Sequence, residues 1–142
     1  MRTKRIAFCV LVLLFTVTVI GLKFKDNLIR SFISLNKESL QTYAQEQLAG
    51  EDTLGHYGLW KTTCYPDAGM VEFLTSGAGL VPDSTYKGFY YSADDTHKPY
   101  AASEAVTLSQ TDENTVSWTD GTDNHGTSVR ITKNWFWFEA SF

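Results

Sequence analysis

Hydrophobic and polar positions along this chain follow three rhythms in turn. After Met1-Arg2-Thr3-Lys4-Arg5, the stretch from Ile6 to Leu22 runs seventeen residues without a charge, and its only polar side chains are Thr16 and Thr18. A helix buried in a soluble core would show a polar face, and this one has none. At about 1.5 Å per residue it spans roughly 25 Å, slightly short of a ~30 Å hydrocarbon core. The stems of Arg5, Lys23 and Lys25 extend that reach. The run predicts a transmembrane anchor at 6–22 behind a basic tail at 1–5. Secretory h-regions run about 7–15 residues and end in a small-x-small site. Here the run is longer and ends in Val19-Ile20-Gly21-Leu22-Lys23, a poor match, so an uncleaved signal anchor is expected.

The second rhythm is helical. Phe24, Leu28, Phe32 and Leu35 recur at spacings of three and four, followed by Leu40, Tyr43 and Leu48. Residues 23–50 therefore read as a juxtamembrane amphipathic helix, with Asn36 placed to cap a segment from Lys37 to Leu48 and Gly50 to stop it. Its apolar stripe has two uses: packing on the body that follows, or engaging a bilayer surface or a partner.

From His56 onward, short alternating runs are broken by turn residues. The predicted strands are Leu59 to Tyr65, Met70 to Thr75, Tyr86 to Ser92, Ala105 to Ser109, Thr115 to Thr119, Ser128 to Thr132 and Trp135 to Ala140. Pro66-Asp67-Ala68-Gly69 reads as a tight turn and Lys133-Asn134 as a two-residue hairpin loop in which Asn takes φ > 0. Ser76-Gly77-Ala78-Gly79 reads as a loop; no Lys-Ser or Lys-Thr follows it, so it is not a phosphate cradle. Alternation assigns Val106 with Leu108, Val116 with Trp118, and Val129 with Ile131 to inward sets. The fold class expected is mainly β, α+β overall. It consists of a transmembrane helix, a juxtamembrane helix and, at 51–142, a small antiparallel domain of about seven strands closed as a barrel or folded as a sandwich.

Charge divides the chain at the same place. Residues 1–50 carry a net +4 and residues 51–142 a net −8, although the whole chain sums to only −4. A body this acidic lacks the basic patch that phosphate neutralisation requires, so no nucleic-acid partner is expected. The positive-inside count is nearly balanced across 6–22. The short charged tail and the acidic body favour a cytoplasmic N-terminus and an extracytoplasmic β domain in the cell membrane. Basic leader, greasy segment, helix and β-rich body together resemble the general plan of type IV pilins and pseudopilins. The resemblance is one of architecture: the Gly-Phe processing site and the Glu at the fifth mature position have no counterpart around Phe8, Cys9 and Phe15. The processing step on which that assembly depends is therefore missing.

Candidate chemistry is sparse. Cys64 is the one cysteine outside 6–22, so no intradomain disulfide forms; beside Trp60 and Thr62 it reads as a small buried hydrophobe. Trp135-Phe136-Trp137-Phe138 places large aromatics on both faces of one strand, the mark of a central strand covered on both sides. The sharper reading makes Trp135 and Trp137, with Tyr90 and Tyr91, a stacking platform for sugar rings or a partner. Asp94, Asp95 and His97 in one loop, and Asp120, Asp123 and His125 in another, would hold a divalent cation if the two loops met. The same groups would serve a small hydrolase. Asp, Asn, Gly and Thr are also ordinary turn residues, and no cofactor is implied. With no convergent catalytic set, the expected role is binding or structural: a membrane-anchored β domain contacting an envelope polymer or a membrane-complex protein. The alternative is an accessory subunit that contacts its partners through residues 24–48.

Overall fold

A computed structural model describes residues 27–50, 52–80 and 83–142 of the chain. The predicted anchor at 6–22 lies outside them. Among the described residues, no helix is long and apolar enough to cross a membrane.

The chain divides into two units, one ending at Leu35 and one running from Asn36 to Phe142. In the first, residues 27–35 are helical, and the Ser34 hydroxyl donates to the Arg30 carbonyl one turn back (3.1 Å). Ile33 is fully buried, whereas Leu28, Phe32 and Leu35 are 54%, 38% and 85% exposed.

The second unit opens with α1, Lys37–Ala49. Its first bond runs from the Leu40 N–H to the Asn36 carbonyl, so Asn36 starts the helix through its backbone. Gly50 ends it in extended rather than left-handed geometry. Eight strands follow: β1 Leu54–Tyr57, β2 Trp60–Tyr65, β3 Met70–Leu80, β4 Asp83–Ser92, β5 Thr107–Asp112, β6 Thr115–Thr119, β7 His125–Thr132 and β8 Trp135–Ser141. They form one antiparallel sheet in the order β1-β2-β3-β4-β8-β7-β6-β5. Two four-stranded meanders thus meet where β4 pairs with β8.

Among the described residues the expected seven strands become eight, and the sheet closes into neither a barrel nor a sandwich. The physical reason lies in what covers the faces. On one face α1 packs over β2 and β3: Leu40 and Ala44 are buried, and the Tyr43 ring centroid lies 5.8 Å from that of Phe73. Across the other face runs the long connection from β4 to the far edge, residues 93–106. Tyr100, Ala102 and Val106 of this connection pack on the core formed by Met70, Tyr90, Trp118, Phe136, Phe138 and Ala140. With both faces served, no second sheet is needed to bury them.

Local chemistry explains the remaining departures. β1 escapes the sequence pattern because none of its four residues is buried. Ser76–Gly79, expected as a loop, continues β3 opposite Ser84–Lys87 after a bulge beyond Leu74. The Tyr86 ring lies where a Cβ on Gly77 would come within 3.0 Å of it, so the glycine makes room for an aromatic neighbour. Leu108, expected inward, sits 44% exposed on the edge strand β5. The turn at Pro66–Ala68 ends at Gly69 with φ 59°, and Asn134 takes φ 68° in the β7–β8 hairpin, both as the turn chemistry requires.

Candidate functional site

Strand alternation places Val71 and Phe73 on the face beneath α1 and Met70, Glu72 and Leu74 on the other. Glu72 is thus carried into an apolar layer, where it is only 4% exposed. Its Oε2 accepts a hydrogen bond from the Ala101 N–H (3.2 Å), in the segment that crosses this face. Ala101 and Ala102 hold φ of 55° and 50°, left-handed values that cost an alanine energy and that the surrounding contacts must sustain. Burial raises the Glu72 carboxyl from 4.5 to about 7, and the Ala101 N–H opposes that rise only in part. Burial and then the Glu72 charge push the Tyr65 and Tyr100 phenols upward as well, Tyr100 to about 12.

A cavity of about 520 Å³ is lined in part by Ala101, the residue whose N–H meets this carboxyl. The β2–β3 turn contributes Tyr65, Pro66, Asp67 and Ala68, and the crossing segment contributes Ala101, Ala102 and Glu104. That volume lies within the range of small-molecule sites. Its wall combines apolar surface with the carboxylates of Asp67 and Glu104, and Ala101 joins it directly to Glu72. Glu72 is not among the residues that the sequence pattern nominates. The available signal was a lone carboxylate between Met70 and Leu74 on a strand whose opposite side carries Val71 and Phe73.

The first half of the crossing segment is held by a polar network. The Lys98 N–H donates to the Tyr90 hydroxyl (2.8 Å), which in turn bonds to Ser128 Oγ. His97 Nδ1 lies 2.8 Å from the same Oγ. Arg130 reaches Asp95 through both its carboxylate and its carbonyl, and the guanidinium carbon stands 4.7 Å from the Phe136 ring centroid. Burial and then the Arg130 charge depress the His97 imidazole, with Asp95 acting in opposition. Burial works to raise the Asp94 carboxyl, but bonds from Lys98, Ser92 and Thr96 outweigh it and hold the group well below the carboxylate range. The His97–Ser128 pair has the composition of a base and a nucleophile, yet Ser128 is fully buried and has no room for a substrate. Its chemistry is fastening. Tyr90→Phe is expected to lower stability by about 1–2 kcal/mol, because the part-buried Lys98 N–H and the buried Ser128 hydroxyl each lose a partner. Denaturant unfolding of wild type and variant checks this.

The predicted aromatic platform is core. Trp135, Trp137, Tyr90 and Tyr91 are all buried. Tyr90 lies on the crossing-segment face, with its ring stacked on Phe136 (5.1 Å), while Tyr91 and Trp135 share the opposite face (5.4 Å). β8 is the central strand that the four aromatics implied, covered on both sides. The two Asp/His loops do not meet. Asp95 is tied to Arg130 near one end of β7, whereas His125 begins that strand at the other, a separation of five residues or roughly 16 Å at about 3.3 Å per residue. Asp120 is occupied within its own loop by Thr122 and Asn124, and His125 Nδ1 contacts the Asp123 carbonyl. Among the described residues, no three His, Cys, Asp or Glu side chains are grouped to hold a metal ion. Cys64 is buried, with its thiol 3.5 Å from the Gln47 carbonyl, and burial raises its pKa.

No protein-family model, curated protein or solved structure matches this chain.

Proposed function

We propose that the chain is a single-pass membrane protein whose acidic β unit serves binding or structural contact at the cell envelope, with the N-terminus cytoplasmic and the β unit outside. The observation that carries this reading is the seventeen-residue uncharged run Ile6–Leu22, set between a basic tail and a body of charge −8. A binding role is favoured over catalysis because the Ser128 hydroxyl, which lies beside the half-buried His97, is itself fully buried and acts as a fastener. The aromatic platform gives way, as the place of contact, to the cavity between the β2–β3 turn and residues 101–104, where a partner would meet apolar surface flanked by Asp67 and Glu104.

Alkaline carbonate washing of membranes from cells expressing the full chain tests the anchor. The wild type is expected to stay in the membrane pellet and a Leu13→Arg/Leu14→Arg variant to be released. Wild-type protein released along with the variant would overturn the reading.

A further inference from the structure

The helical residues 27–35 carry a broad apolar arc, buried at one margin and exposed at the other. Successive residues advance by about 100°, so Leu28, Phe32 and Leu35 fall within about 60° of arc and Ile33 lies about 130° away. Ile33 is fully buried, but Leu28 and Leu35 remain 54% and 85% exposed, with Phe32 at 38% between them. Scattered exposed leucines need no explanation; apolar side chains aligned at i, i+4 and i+7 do. The uncharged run ends at Leu22, only six residues before Leu28. Lys23, Lys25, Arg30 and Lys37 outnumber Asp26 and Glu38 over the same stretch, a balance that suits anionic head groups.

We infer that residues 27–35 lie along the surface of an anionic bilayer, with Leu28, Phe32 and Leu35 immersed at the boundary between head groups and acyl chains. The inference rests on the membrane reading above and adds the surface on which the stripe sits. Helices of this type sink their apolar face about 5–10 Å into that boundary.

Nitroxide labels test this in the full chain, with Cys9 and Cys64 replaced by serine and alanine. Cysteines are placed singly at Leu28, Leu35 and Ser34, the last lying about 130° from the stripe. The protein is reconstituted in vesicles of phosphatidylcholine with one quarter phosphatidylglycerol. Collisions with oxygen, which partitions into lipid, are compared with collisions with a water-soluble nickel chelate. Labels at 28 and 35 are expected to favour oxygen and the label at 34 to favour nickel. Equal access of nickel to all three positions overturns the inference. So do labels at 28 and 35 shielded from both reagents, which would place a second copy or a partner protein on the stripe. Because wild-type carbonate extraction is scored separately, a chain retained in the membrane with aqueous labels removes this inference alone, whereas a released chain removes both. A Leu35→Trp variant read by quenching from brominated lipids gives the same answer without a label: quenching supports immersion, and its absence overturns it.

Discussion

Replacing Phe136 by alanine is expected to cost about 3–5 kcal/mol, within the range for deleting a fully buried aromatic ring. Phe136 has no exposed surface and lies at the crossing of three contacts. Its ring stacks on Tyr90, meets the His97 ring edge-on with centroids 4.7 Å apart, and lies beneath the Arg130 guanidinium. Alanine forfeits the transfer free energy of the ring and leaves a void that the neighbouring β4 and β7 backbones, fixed by their ladders, cannot close. It also undercuts the network that fastens residues 95–98, so the loss belongs at the upper part of that range. Since a typical domain has only about 5–15 kcal/mol in hand, the variant should unfold at a much lower denaturant concentration. Tryptophan fluorescence during urea titration of the full chain in detergent reads this directly. Leu108→Ala, on the exposed edge strand, is the control and should change stability by less than about 0.5 kcal/mol. Equal midpoints for the two variants would contradict the packing described.

Glu72→Gln is expected to stabilise the protein, and only at higher pH. The folded-state carboxyl titrates at about 7 instead of 4.5 because burial disfavours its charged form. Below pH 4.5 the group is protonated in folded and unfolded chains alike, and the two proteins should match. As pH rises from there towards 7, the unfolded chain releases this proton while the buried carboxyl keeps it, so the wild type loses stability relative to the glutamine variant. The difference levels off once both states are ionised. The raised value corresponds to about 3 kcal/mol, with the full difference reached by about pH 8–9. The other ionisable groups facing Glu72 are Tyr65 and Tyr100. Burial and the Glu72 charge raise both phenols, so neither titrates within this window. Unfolding midpoints of the pair from pH 4.5 to 9 test the claim, and a difference that does not vary with pH would contradict it.

Where a feature depends on the chain alone, it could be read from residue order. Thr115–Thr119 is a strand with the bounds its alternation implies, Lys133-Asn134 is the hairpin loop its turn chemistry requires, and Cys64 is buried. Trp135–Ser141 is the doubly covered central strand that its four aromatics announced. The misses concern what covers what. Periodicity gives a strand two faces but does not say that residues 93–106 will lie across one of them, so an open sheet could not be distinguished from a closed one. The same blindness hid Glu72, whose character comes from the segment laid over it, and misplaced Leu108, whose strand became an edge. Nor does residue order reveal that Asp94–His97 and Asp120–His125 lie towards opposite ends of β7.

Protease digestion of intact cells expressing the full chain, with the protected fragment weighed by mass spectrometry, tests the central claim most directly. A membrane-retained fragment containing residues 6–22, with the β unit cut away, is the predicted result. Complete protection of the β unit that ends once the cells are opened would place the acidic domain inside and contradict the account.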